Sequence, residues 1–209
     1  MIDDKIKETV LSYAAKVVAE GMSGKGDRIA MRTKDGFCVN DASVALKDLT
    51  AEGLIELPLT TEDKDYVVIA RLFAKRPEVH AVLYTNAPFV CAVARAKATI
   101  PAVLDDMTQI VGLNCKTCKS ATTDDLVRGL RKRNSVLVPS GGALTVGRTM
   151  DEAYTCALVL DKASHAYVCG SVLGGNKTIN CIEAKLMNFI YQKKYSKVNQ
   201  ENISKREGE

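Results

Sequence analysis

The chain has 209 residues, 46% of them hydrophobic and 26% charged, which is enough for one well-buried globular domain and too little for two ample ones. A formal net charge of +4, no Trp and four Phe argue against a nucleic-acid module, which offers a denser basic stripe with aromatic residues between the charges. No apolar run approaches the ~20 residues needed to cross a bilayer, which argues against a membrane protein.

The residues after Met1 lack a basic stretch followed by an apolar one, and seven scattered cysteines, an odd number, read as reduced thiols packed as small apolar residues. A cytoplasmic location is the expectation. Basic residues gather at 128–133 and 193–206, and both clusters read as solvated surface.

Residues 3–20 place Ile6, Val10, Leu11, Ala14, Val17 and Val18 at helical spacing, with Gly21 as the stop. A glycine-containing loop (22–27) leads into a strand at 28–33, a turn at Asp35-Gly36 and a strand at 37–39. The 48–57 stretch ends in a short strand before Pro58. Thr60 with Asp63 forms a capping box for a helix whose apolar face is Tyr66, Ile69, Ala70 and Phe73, and which must stop before Pro77. A buried strand at 78–84 and a helix opened by Pro88 come next.

Leu126, Val127 and Leu130 mark a helix over 122–132. The 134–153 segment reads as an apolar strand, a glycine turn at Gly141-Gly142, a second strand, and a helix capped by Thr149 with Asp151 and Glu152 in its first turn. That helix runs to residue 168, with Ala153, Cys156, Ala157, Leu160 and Ala163 inward. An amphipathic helix at 178–195 closes a single domain over 1–195, and 196–209 is a polar, flexible tail. The irregular alternation with hairpin signals predicts an α/β sheet with helices on both faces.

Residues 76–88 read Arg-Pro-Glu-Val-His-Ala-Val-Leu-Tyr-Thr-Asn-Ala-Pro, and 140–153 contain Ser-Gly-Gly followed by Gly-Arg-Thr-Met-Asp-Glu-Ala. Together they resemble the class II aldolase/adducin family, whose patterns are Arg-Pro-x-Val-x-Ala-Val-Val-His-Thr-His-x-Pro and Asn-His-Gly-x-x-x-x-Gly-Arg-Thr-x-x-Glu-Ala. The resemblance extends over about 19–168 and implies a three-layer fold, a central mixed and mostly antiparallel sheet between helices. It also implies an aldehyde-lyase frame acting on sugar phosphates, zinc held by three histidines, and a homo-oligomer, commonly a tetramer.

At the three zinc-ligand positions this chain has Tyr84, Asn86 and Gly141. A phenol neutral near pH 7, an uncharged amide and a glycine are a poor set for zinc, so no metal or other cofactor is expected, zinc being the main alternative. His80 shares a strand face with Tyr84 and Asn86 but lies near the opposite end, and His165 is a packed or surface residue. The expectation is a member degenerate for zinc-dependent retro-aldol cleavage that keeps a pocket for a small phosphorylated ligand. The alternatives are an active lyase or epimerase with other metal ligands, and a non-catalytic assembly or partner-binding module.

By the same resemblance, Lys25, Gly26, Asp27, Arg28 and Ser43 take substrate-binding positions, with Thr60 and Thr61 beside them. Asp27 would repel a phosphate that Lys25 or Arg28 would attract, and the sign of the loop stays open; a plain surface turn is the other reading. The family's base falls on Glu62 by residue type or on Asp65 by counting back from Arg76, and either acid could equally serve the helix dipole. Cys118 falls near a proton-donating tyrosine, and Lys116 and Lys119 would lower its pKa. Alternatively, Cys115 and Cys118 are ordinary packed thiols.

Overall fold

The computed structural model describes residues 2–191 and 193. A six-stranded sheet carries the fold: β1 (Arg28–Arg32), β2 (Gly36–Asn40), β3 (Leu54–Pro58), β4 (Ala81–Thr85), β7 (Ser135–Leu137) and β8 (Ala143–Gly147), in the order β3-β2-β1-β4-β8-β7. Every neighbouring pair is antiparallel. The one parallel feature among the described residues is an isolated bridge between Thr117 and Leu137. A small second sheet pairs β5 (Thr99–Pro101) with β6 (Asn114–Lys116).

Alternation along the strands builds two cores, because successive side chains point to opposite faces. Ile29, Cys38, Leu83 and Ala143 pack with α1 (Asp4–Ala19), α3 (Pro88–Arg95), α4 (Asp105–Ile110) and α6 (Met150–Val172). Ala30, Phe37, Val39, Val82 and Leu144 pack on the other face with α2 (Val67–Lys75) and α5 (Thr123–Gly129). The result is the three-layer α/β architecture expected. Among the described residues no helix is long and apolar enough to cross a membrane.

Local chemistry sets the helix ends near the sheet's working edge. Thr149 Oγ1 accepts from Glu152 N at 3.1 Å while Glu152 Oε2 accepts from Arg148 N at 2.9 Å, a reciprocal cap for α6. Gly147 lets β8 run against that cap, since a Cβ there would meet Ala153 N at 2.5 Å. Pro88 opens α3 at its first turn, where no N–H is needed.

Several boundaries differ from the expectation. Thr60 and Asp63 make no capping box, because α2 begins at Val67 with Tyr66 at its N-cap position. Residues 59–66 form a turn: Asp63 O accepts from Tyr66 N and Val67 N, and Tyr66 Oη is drawn across the sheet to accept from Ala42 N at 2.7 Å. This long-range bond outcompetes the local cap. The strand expected from residue 78 starts at Ala81, because Glu78 turns outward to pair with Arg76 at 2.8 Å. Helix α5 ends at Gly129, three residues short of the expected end. The last helix begins at 181, three residues later than expected, and is described over 181–191 and at 193; its expected end at 195 and the tail at 196–209 lie outside the described residues.

Candidate functional site

Three segments meet at one end of β4: the loop at 22–28, the residues that leave the strand at 84–86, and the glycine turn between β7 and β8. Arg28 lies opposite Tyr84 in the β1–β4 ladder, and Tyr84 lies opposite Leu144 in β4–β8. Asn86 N donates to Met22 O at 3.2 Å, closing the loop onto the strand end. Gly24 permits the contact, as a Cβ there would fall 2.7 Å from Asn86 Cβ.

Tyr84, Asn86 and the Gly141-Gly142 turn, where the sequence resemblance places the zinc ligands, meet at this end of β4. Tyr84 Oη donates to Gly141 O at 2.7 Å. Asn86 Nδ2 donates to Asp27 Oδ1 at 2.6 Å and to Lys25 O at 3.3 Å, while Cys91 Sγ approaches Asn86 Oδ1 at 3.8 Å. Gly142 packs so closely that a Cβ would sit 2.5 Å from Thr85 O and 2.7 Å from Asn86 Oδ1. The close approach that the glycine pair permits is therefore filled by the protein's own strand end. Burial pushes the Tyr84 phenol above its ordinary value, helped by Cys91 and Asp27, so it stays neutral across the physiological range.

Asp27 is 3% exposed, and its carboxylate is turned inward, with Gly24 N on Oδ2 at 2.6 Å and Asn86 on Oδ1. Burial raises its pKa above the ordinary carboxylate value, against the lowering effect of those donors and of Arg28. Asp27 is engaged inside, and Lys25, Arg28 and Lys47 stand with it around the adjoining cavity. A cavity of about 620 Å³ is lined by Lys25, Gly26, Asp27, Arg28, Ser43 and Lys47. Ser43 there donates from both N and Oγ to Asp41 Oδ1.

A second cavity, about 390 Å³, lies on the other side of Arg28 and is lined by Lys64, Asp65, Tyr84 and Ser140 with apolar residues from α2, α5 and β8. Asp65 therefore faces this space. Glu62 points away and pairs with Arg71 at 2.8 Å, and Thr60 and Thr61 line neither cavity. Lys47, Lys64 and Ser140 were not singled out from the sequence. Ser140 could have been, because it immediately precedes the Gly141-Gly142 turn.

Cys118 sits elsewhere, beside Lys116, Lys119, Asp125 and Arg128 in a separate cavity. Its expected low pKa is corrected: burial and Asp125 push the thiol up, outweighing Arg128. Cys115 and Cys118 face opposite cores, and burial raises Cys115 to about 11. Among the described residues no group of three His, Cys, Asp or Glu stands together as a metal cluster. His80 is exposed at the far end of β4, its Nδ1 beside Glu78 O at 3.2 Å, and His165 stacks on Phe89 at 4.1 Å between ring centres.

Residues 6–168 match the profile of the Class II Aldolase and Adducin N-terminal domain. The chain is 22% identical over 188 residues to a 5-methylthioribulose-1-phosphate/5-deoxyribulose-1-phosphate aldolase of Escherichia coli O45:K1 (strain S88 / ExPEC), covering 80% of this chain and 86% of the relative. A solved L-fuculose 1-phosphate aldolase superposes with a TM-score of 0.85 at 13% identity, over 92% of this chain and 98% of the other. The L-fuculose 1-phosphate aldolase of Glaciozyma antarctica PI12 gives 0.76 at 17% identity, over 88% and 80%. With the profile spanning most of its length, this chain belongs to the class II aldolase and adducin family.

Proposed function

We propose that this chain binds a small phosphorylated ligand in the cleft between the 22–28 loop and residues 42–47, and that it does not perform zinc-dependent retro-aldol cleavage. The observation that carries the reading is the closure of the three ligand positions on protein partners. Carbon–carbon cleavage beside a ketone needs positive charge on the neighbouring oxygen, which zinc supplies as a Lewis acid held by neutral imidazoles. Zinc does not fit the donors here. Tyr84 is a neutral phenol already donating to Gly141 O, Asn86 offers only an amide oxygen, and Gly141 has no side chain.

The phosphate half of the reading rests on Lys25, Arg28 and Lys47 around the first cavity, with Asp27 held inward. Two charges ~4 Å apart near a protein surface attract by roughly 1–4 kcal/mol, enough to set the preferred sign of a ligand. The sugar phosphates named for the relatives serve as probes.

Metal analysis of the purified protein, with retro-aldol assays on L-fuculose 1-phosphate and 5-methylthioribulose 1-phosphate, tests the first half. Substoichiometric zinc and no cleavage are expected; stoichiometric zinc with turnover overturns it. Calorimetry with the same compounds tests the second half. Binding weakened by Lys25→Gln and Lys47→Gln supports the cleft, and wild-type affinity in both variants removes it. A homo-oligomer belongs to the same proposal, on the exposed apolar side chains of the 181–191 helix.

A further inference from the structure

This inference rests on the proposed phosphate-binding cleft and concerns the other end of the same ligand. Arg28 is 9% exposed and lines both cavities. Its guanidinium is engaged on one side: Nη1 donates to Asp27 O at 2.8 Å. Nε has no acceptor among the described residues, and Nη2 lies 3.9 Å from Asp65 Oδ1, beyond hydrogen-bond range. Nε and Nη2 together form the side of the fork that grips a carboxylate through two parallel N–H···O bonds.

A buried cation with an unanswered donor is costly to a fold, and such groups mark places where something further completes the structure. Nη2 lies on the Asp65 side while Nε is buried, and Arg28 lines the second cavity together with Lys64 and the neutral Tyr84 and Ser140. The Tyr66 ring, 5.6 Å from Cζ, backs the guanidinium. Asp65 itself is 43% exposed on its side chain and can turn to solvent.

We propose that the Nε–Nη2 edge of Arg28 binds a carboxylate of the ligand, so that the ligand is a phosphorylated hydroxy acid. Its phosphate lies by Lys25 and Lys47 and its carboxylate at Arg28. A ketone oxygen is uncharged and calls for a divalent cation, whereas a planar fork of single charge matches a planar anion of single charge. The two cavities share Gly26 and Arg28 as lining residues, which sets them side by side.

Calorimetry with four probes tests this: 6-phosphogluconate, sorbitol 6-phosphate (an alcohol in place of the carboxylate), gluconate, and sorbitol 1,6-bisphosphate. The wild type is expected to bind 6-phosphogluconate roughly ten-fold or more tighter than sorbitol 6-phosphate, and Arg28→Lys to shrink that ratio. The wild-type comparison decides even if the variant fails to fold. Equal affinity for the two overturns the carboxylate assignment and leaves the phosphate cleft standing. Tighter binding of the bisphosphate than of 6-phosphogluconate also overturns it, giving the fork to a second phosphate. If no phosphorylated probe binds, the cleft reading falls and this inference with it.

Discussion

Tyr84 Oη and the carbonyl oxygen of Gly141 stand 2.7 Å apart, and this bond ties the end of β4 to the turn between β7 and β8. Two segments far apart in the chain hold each other directly here. Tyr84→Phe keeps the ring against the second core and removes only the hydroxyl, leaving Gly141 O without that donor. The expected cost is about 1 kcal/mol of folding stability, read by urea denaturation, with zinc content unchanged. Gain of zinc on losing the phenol would show that the hydroxyl had been masking a site.

Gly141 and Gly142 adopt φ of +119° and +83°, conformations that side-chain-bearing residues rarely take. Gly141→His, which puts an imidazole where the sequence resemblance places one, is therefore expected to destabilise the fold by about 1–3 kcal/mol. The obstruction at 141 is the tip of Arg95, which can swing aside at 3.2 Å. At 142 the obstruction is backbone, Thr85 O at 2.5 Å. Gly142→Ala should accordingly cost more than Gly141→Ala, and thermal denaturation of the pair checks the order.

Asp27→Asn replaces an acceptor of two donors with a group that can satisfy only one, so a loss of about 1–3 kcal/mol is expected at neutral pH. The pH dependence has a definite sign. Burial raises the folded pKa of Asp27 above its ordinary 3.8, so its contribution to stability is full below the unfolded value and is lost as pH rises through the folded one. The stability gap between wild type and Asp27→Asn should therefore widen as pH falls from 7 toward 4. A gap that narrows would show that the carboxylate is held in its charged form.

The sequence disclosed those features whose causes are local. The Thr149 cap, the Pro88 helix start and the alternation that splits Leu83 from Val82 all depend on neighbours within a few residues. The start of α2 was not legible, because the bond from Ala42 N to Tyr66 that displaces a cap at Thr60 joins distant parts of the chain. The facing of Asp27 was hidden for the same reason, since its partner Asn86 lies 59 residues away. Spacing alone could not separate Glu62 from Asp65, and the turn at 59–66 does so by sending one to Arg71 and the other to the cavity beside Arg28.

For Cys118 the local view gave the wrong sign, as Lys116 and Lys119 suggested activation while burial and Asp125 dominate. Its Sγ also donates to Asp125 O at 3.4 Å. Alkylation by iodoacetamide at pH 7, followed by peptide mass spectrometry, should label the exposed Cys169 and Cys181 well before Cys118. Preferential labelling of Cys118 would restore it as a candidate for chemistry.

Ile182, Leu186, Phe189 and Ile190 are 75%, 58%, 56% and 56% exposed, at the four-, three- and one-residue steps that make one stripe of a helix. Single exposed apolar residues are ordinary, but a contiguous stripe of four large ones marks a surface that buries against another chain. Each such side chain, once covered, contributes about 1.5–3 kcal/mol, so the stripe can hold an assembly without unusual polar contacts. Light scattering on the wild type is expected to give a homo-oligomer. Leu186→Lys combined with Phe189→Lys places two charges in the stripe and should shift the mass toward the monomer while circular dichroism keeps the wild-type helix content. A wild type that is monomeric at micromolar concentration, or a double variant that assembles as well as the parent, removes this face from the interface.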